Sequence, residues 1–428
     1  MTAKSNAEQF CFESGWGIAF ALILSFAAKV VIRLIALRNA NFWETGYAFY
    51  FQIAKHILEE GEFYYQSAHA AGKLYAIRPP LYPLFIALLC NLTNYSAQVF
   101  IVAQTFVATC TAFFAYKIAF KLADAKAAVF AAVFCAFYPY SFFHDTQLQE
   151  NAVYNFFSLA SIWSLMIAAE KEKSLSFLKT GVVLGFATLT KASHLVHAFF
   201  LFLWILLRFR RQLQKGLIFT AACAFGFLLC LSPWLIRNKR VIGSYALTSI
   251  AGRAFVMAHN EFTFALYPYK GSIDDSDQYL RPWLKGKGEA YPCDADFNKM
   301  TQNRLCLKMA ANYIVNHKLE TLRRGVYKVA VNFLGILSPL SNPVKNISYF
   351  LSYWSLTLLM IAGLRKIWKS DYFKIYLVLC FSQAVFSFIF WAHSSHRSFL
   401  DPMLAVLAGV SLASLLRAIY PLPGVQTK

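Results

Sequence analysis

A single carboxylate and a single guanidinium bracket the segment after the first hydrophobic run: Glu44 opens ETGYAFYFQIAKHILEEGEFY, and Arg78 precedes PPLYPLFIALL. A carboxylate can accept a proton from an attacking hydroxyl, and a guanidinium can hold an anion. Between them Tyr47, Phe51, Ala54 and Leu58 recur at helical spacing, with Gln52, Lys55, Glu59 and Glu60 on the other side, so the spacing predicts a surface-lying amphipathic helix. Glu44 falls at its expected N-terminal edge, where the helix dipole favours a carboxylate. The bland alternatives are that Glu44 only satisfies that helix end and that Arg78 only snorkels to the interface from Pro79.

Those side chains must be positioned by membrane helices. The chain is 58% hydrophobic and 17% aromatic with 14% charged residues, the composition of a polytopic membrane protein. A crossing takes about 20 mostly apolar residues. Candidate runs cover 17–37, 97–119, 127–143, 148–169, 178–190, 195–207, 216–235, 348–364, 372–391 and 399–416. The expected fold is therefore all-α, with ten transmembrane helices in one domain spanning 1–428. The net charge of +20 does not indicate nucleic acid, because the basic residues gather in short clusters between runs: Lys117, Lys121 and Lys126; Lys171, Lys173 and Lys179; Arg208, Arg210, Arg211 and Lys215; Arg365, Lys366, Lys369 and Lys374. The positive-inside rule puts all four clusters and both termini in the cytoplasm. The segments 38–96 and 237–345 then lie outside, as a first outer loop carrying the chemistry and a long outer loop for substrate recognition.

Parity constrains the rest. An eleventh crossing at 324–340 would move the Arg365 cluster outside, so that run is read as an interfacial helix, preceded by the amphipathic 300–317 and broken by Pro339 and Pro343. The proline-led run 79–95 is read in the same way, and 17–38 as an anchor that is retained. Cys90, Cys110, Cys135, Cys223, Cys230 and Cys380 sit in apolar runs and read as packing residues. Cys293 and Cys306 are the pair in the long outer loop that an oxidising compartment would allow to join. There is no CxxC, HExxH or phosphate-cradling glycine loop, so no metal ligand set or cofactor is predicted, although the question of a divalent ion stays open. His194 and His197 share a helical face without a third ligand; His393 and His396 read as interfacial histidines; Asp274, Asp275 and Asp277 read as a solvated turn. Lys29 and Arg33, one turn apart in the first run, require an anionic partner that the sequence does not name.

Taken in order, these features resemble the polytopic GT-C glycosyltransferases, in the branch of the protein O-mannosyltransferases and the lipid A aminoarabinose transferase. The resemblance runs over nearly the whole chain. It rests on an acid opening the first outer loop and a helix with a glycine after it (Glu44, Tyr47, Ala54, Gly61), and a base before P-P-L-Y (Arg78, Pro79, Pro80, Leu81, Tyr82). It continues with a proline followed by acids (Pro139, Asp145, Glu150), G-x-x-x-G-x-x-x-L-T-K (Gly181, Gly185, Leu189, Thr190, Lys191), P-W-x-x-R-N (Pro233, Trp234, Arg237, Asn238) and a late arginine, Arg397. The family's first-loop acid is usually aspartate, where this chain has Glu44.

The resemblance implies inverting transfer of a sugar from a polyprenyl-phosphate donor to a lipid, glycan or protein hydroxyl. The site would lie on the extracytoplasmic face of a plasma membrane, with a bacterial inner membrane expected. It implies Glu44 as the base and Arg78 as the phosphate ligand, backed by Lys191, Arg237 and Arg397, with Tyr82, Asp145, Glu150, Asn238 and His396 also binding substrate. No large soluble domain follows the last run, so acceptor recognition is expected of the outer loops. The competing class is a transporter or flippase of lipid-linked sugars. It would show inverted repeats and mid-depth ionisable groups, whereas here no repeat relates the halves and the charges gather at one face.

Overall fold

The computed structural model describes residues 2–37, 41–66, 72–270, 276–291 and 300–419, without the side chains of 2–15, 300 and 301. Nearly all of it is helix. In chain order the helices are α1 (Thr2–Ala36), α2 (Phe49–Glu60), α3 (Leu81–Thr93), α4 (Ala97–Leu122), α5 (Ala125–Ala136), α6 (Pro139–His144), α7 (Asn151–Lys171), α8 (Ser174–Thr190), α9 (His194–Arg208) and α10 (Leu213–Ile242). They continue with α11 (Ala251–Ala258), α12 (Asp277–Gly286), α13 (Met300–Asn316), α14 (Lys318–Phe333), α15 (Pro343–Ala362), α16 (Leu364–Ile367), α17 (Asp371–Ile389), α18 (Ser394–Arg397) and α19 (Leu400–Ile419). The one sheet among the described residues is a two-stranded antiparallel ribbon pairing Tyr65 with Leu74.

Nine of the ten expected runs each fall on a single helix, the run at 348–364 on α15. Six are long and apolar enough to cross a membrane by length and composition: the 16–36 part of α1, and α4, α7, α10, α17 and α19. The helices α5, α8 and α9 are apolar but shorter. At 1.5 Å per residue the twelve residues of α5 extend about 18 Å, less than the roughly 30 Å hydrocarbon core. The run expected at 127–143 is in fact two helices, because Pro139 has no N–H to continue the first and instead starts α6.

The centre of the bundle is α19, buried continuously from Leu400 to Ser411 and packed on α4, α5 and α15. Helix α8 lies against both α7 and α10. The α8–α10 crossing is made by glycines. A Cβ at Gly181 would stand 1.9 Å from the Cys223 carbonyl oxygen, one at Gly226 2.1 Å from that of Leu178, and one at Gly185 2.5 Å from the Cys230 Cβ. Only hydrogen fits at those points, the small-residue contact by which apolar helices approach closely in lipid.

Two satellite cores belong to the outer segments. Tyr50, Ala54, Tyr82, Ile86, Phe100 and Leu148 join α2 and α3 to α4 and to the connection before α7. Val256, Leu280, Leu284, Cys306 and Ala310 unite α11, α12 and α13. Cys306 is disulfide-bonded; Cys293, Asp274 and Asp275 lie outside the described residues. Asp277 pairs with Arg253. Cys90, Cys110, Cys135, Cys223, Cys230 and Cys380 are free.

Candidate active site

The close α8–α10 crossing fixes the C-terminal end of α8, and Lys191 is the residue that ends it. Its ammonium is buried and donates to Glu150 Oε1 at 3.1 Å, Asn151 Oδ1 at 3.2 Å and the Ser395 carbonyl at 2.9 Å, above the Tyr154 ring. Glu150 stands immediately before α7, and its second oxygen, Oε2, is buried without a partner. Burial pushes the Glu150 carboxyl up, but the Lys191 ammonium and the Arg78 guanidinium outweigh it and hold the group below its ordinary value. Lys191 is itself lowered, by burial first, with Glu150 opposing.

Arg78 is half-buried where IRPP enters α3. It donates to its neighbour's carbonyl, Ile77, at 3.0 Å and lies over the Phe49 ring at 4.6 Å. Among the described residues no carboxylate pairs with it. Its charge acts on Glu150, Lys191, Tyr50 and His396, so these groups form one electrostatic neighbourhood.

At the start of α3, Tyr82 is buried. Its hydroxyl donates to Gln104 Oε1 at 2.7 Å, and Gln104 donates to the carbonyls of Asp145 and Gln147 at 2.6 and 2.7 Å. The Asp145 carboxylate in turn meets Lys29 at 2.8 Å, with both side chains buried. That is the partner the first-run lysine required, and it uses Asp145 for holding α1 to the connection before α7. Sequence reading also missed Gln104, Asn151, Tyr154 and Ser395, neutral groups without a distinguishing spacing.

Glu44 departs from its expected setting. Helix α2 begins at Phe49, and Glu44 ends a separate 3₁₀ turn, Phe42–Glu44, so no helix N-terminus faces it. The buried stripe of α2 is Tyr50, Ile53 and Ala54 rather than Tyr47, Phe51, Ala54 and Leu58. Glu44 is exposed and accepts a bond from Asn41 at 2.9 Å. The turn is anchored by Trp43, which donates to the Tyr95 carbonyl at 3.1 Å. Gly46, at φ +61°, lets the chain run against the Leu148 carbonyl, which accepts from Tyr47 N at 3.1 Å. The first outer loop is thus stitched to the connection that carries Asp145 and Glu150, although no hydrogen bond or ion pair among the described residues joins Glu44 to Arg78, Glu150 or Lys191.

The remaining expected residues separate into two groups. Arg237 donates to the carbonyls of Tyr75 and Phe63 at 2.6 and 2.7 Å and to Asn238 Oδ1 at 2.9 Å, while Asn238 donates to Ala246 at 2.8 Å. Arg237 thus holds the segment at Phe63 and Tyr75 onto the end of α10, and Asn238 ties that end to the turn that follows it. Arg397 is buried with Asp401 at 2.9 Å and the rings of Tyr349 and Tyr353, and its Nε and Nη1 are without partners. His396 is buried against Phe386 and Trp391, with Nδ1 unpartnered. Among the described residues no group of three or more His, Cys, Asp or Glu is placed to hold a metal ion.

Residues 77–236 match the family model described as dolichyl-phosphate-mannose-protein mannosyltransferase, a segment that includes Arg78, Tyr82, Asp145, Glu150 and Lys191. No curated protein matches the chain. Among solved structures, the archaeal oligosaccharyltransferase AglB from Archaeoglobus fulgidus, in complex with an inhibitory peptide and a dolichol-phosphate, aligns over 97% of this chain and 53% of its own length, with TM-score 0.54 and 12% identity. The Archaeoglobus fulgidus oligosaccharyltransferase in complex with zinc and sulfate aligns over 94% and 49%, with TM-score 0.51 and 12% identity. The chain spans about half the length of these proteins, and at such identity the likeness concerns the fold. Family match and fold agree with the order of motifs in the sequence: the chain is an all-α, polytopic membrane protein whose fold is similar to that of these oligosaccharyltransferases and whose residues 77–236 match the mannosyltransferase family model.

Proposed function

We propose that the protein transfers a sugar from a polyprenyl-phosphate donor to a hydroxyl of an envelope acceptor, with inversion, at the extracytoplasmic face of a plasma membrane, as in a bacterial inner membrane. The observation that carries this reading is the charge balance at the outer end of α8. Arg78 and Lys191 face a single carboxylate, Glu150, and Arg78 has no carboxylate of its own among the described residues. Half-buried cationic surplus at a membrane surface calls for an anion. A lipid phosphate supplies one, and it is already an ionised leaving group, so the reaction needs no general acid.

In this reading the acceptor oxygen attacks the anomeric carbon, the carbon–oxygen bond to phosphate breaks, and the electron pair leaves with the phosphate onto Arg78 and Lys191. Glu44, the exposed carboxylate of the first outer loop, takes the acceptor's proton. The dolichol-phosphate held by the Archaeoglobus fulgidus oligosaccharyltransferase of similar fold fits a lipid-linked donor.

The test is reconstitution with a radiolabelled polyprenyl-phosphate sugar and an envelope extract as acceptor. Glu44→Gln is expected to lower transfer by about 10²–10⁴-fold, the usual contribution of general base catalysis, at unchanged protein level. Wild-type transfer by that variant would remove Glu44 from the mechanism. Movement of the labelled lipid between leaflets without transfer would make the protein a transporter.

A further inference from the structure

A second cavity, of about 360 Å³, opens beside α14. None of its lining residues belongs to the Arg78–Lys191 site. Its walls are Phe264, Tyr267 and Tyr327, with ring centroids 5.3, 5.5 and 5.8 Å apart. The ring planes meet at 86°, 52° and 82°, so they form a corner and not a parallel slot. Phe264 is held at φ +77°, a left-handed backbone that side chains with a Cβ rarely adopt and that surrounding structure must enforce.

The floor is ionic. Glu320 accepts two bonds from Arg323, at 3.0 and 3.1 Å, and one from Arg324 at 2.5 Å. Two cations against one anion leave a net positive charge. Arg324 is largely committed, since it also donates to the Asn260 carbonyl at 2.7 Å and the Tyr313 hydroxyl at 3.1 Å. Arg323 spends only Nε and Nη2 among the described residues, and its side chain is 77% exposed.

We propose that this cavity binds one sugar ring bearing an anionic substituent, presented at the membrane surface. Aromatic faces pack against the C–H surfaces of a sugar, the Glu320 carboxylate and Arg323 guanidinium bond its hydroxyls, and the surplus cation takes the anionic group. The volume stands near the lower end of the roughly 300–1,000 Å³ of small-molecule pockets, which suits one ring and not an oligosaccharide. On the same helix Leu319, Leu322 and Val326 are exposed, an apolar stripe that lays α14 on the bilayer and the cavity at headgroup level. That this sugar is the acceptor's rests on the transfer reading above; the binding site itself does not.

The experiment uses the full chain in nanodiscs, with methyl β-glucuronide, methyl β-glucoside and inorganic phosphate as probes, by calorimetry and saturation-transfer NMR. The glucuronide is expected to bind about tenfold or more tightly than the glucoside or phosphate, and Tyr327→Ala and Arg323→Ala each to weaken it about tenfold, without a lower Tm. No glucuronide binding, binding unmoved by both substitutions, or phosphate binding as tight as the glucuronide's would overturn the proposal. Glu44→Gln keeps glucuronide binding if the cavity is as described, whether or not that variant transfers sugar, so the two readings fail separately.

Discussion

Asp145 and Glu150 lie five residues apart on one connection, both buried against a lysine, yet their surroundings differ. Asp145 meets Lys29 alone, and burial pushes its carboxyl up more than the lysine brings it down. Glu150 meets Lys191 within reach of Arg78 and is held below its ordinary value, with one oxygen unpartnered. The first pair is closed: its two charges cancel. The second is open, with one cation in excess. A buried ion pair is weak evidence for stability in itself; the lesson here is that completeness, and not burial, separates a structural pair from one prepared for an anion.

The contrast breaks most directly in paired substitutions. Replacing Lys191 by Met and Glu150 by Leu together is expected to preserve folding but to lower sugar transfer by about 10²–10³-fold, the cost of losing a preorganised charge partner. Replacing Lys29 by Met and Asp145 by Leu should leave both folding and transfer near wild type, although Lys29→Met alone, by stranding a buried carboxylate, should cost about 3–5 kcal/mol of stability. Equal transfer by the two double variants would erase the distinction.

Arg78→Gln sharpens it. With no carboxylate partner to strand, this change should shift stability by no more than about 0.5 kcal/mol while transfer drops by roughly 10²-fold, read in the same reconstituted assay beside a thermal melt. Smaller again is the effect of Gly226→Val, which overpacks the α8–α10 crossing and should cost about 1–3 kcal/mol, with transfer falling in proportion to the displacement of Lys191.

The smallest effect concerns a lysine outside both pairs. Lys328 on α14 is buried, donates to the Ala258 carbonyl at 3.1 Å, and is pushed down to about 7 by burial and by Arg324. Because its folded value lies below its unfolded one, the unfolded chain binds the extra proton between about pH 7 and 10. Stability therefore rises with pH across that window. Tm is expected to climb between pH 7 and 9 in the wild type and to climb less in Lys328→Met; parallel curves would remove Lys328 as the cause.

The order of the apolar helices was legible because apolar runs carry it locally. The G-x-x-x-G-x-x-x-L-T-K segment was legible as a motif, and its reason emerges only from the partner helix, whose Cys223 carbonyl and Cys230 side chain occupy the space a methyl group would need. The phase of α2 was misread because Tyr47, Phe49, Tyr50 and Phe51 are all aromatic, so no single stripe stands out at an interface where several faces touch rings. The break at Pro139 was hidden by apolar residues on both sides of it. Lys29 announced the need for a partner, but Asp145 lies 116 residues away and nothing local links them. Arg237 resembled a substrate ligand, and in the fold its donors are taken by the carbonyls of Phe63 and Tyr75.

The glycine crossing gives α8 the mechanics of a lever. Its fulcrum is Gly181, whose hydrogen already touches the backbone of α10, and its free end is Lys191. Ten residues at 1.5 Å make an arm of about 15 Å. A tilt of a few degrees at the fulcrum, the least that a methyl group there would demand, becomes an ångström-scale excursion at the tip. The Lys191–Glu150 contact spans 3.1 Å, so that excursion alone opens it. Substitutions deep in the bundle, far from Lys191 itself, are therefore able to part the Lys191–Glu150 pair.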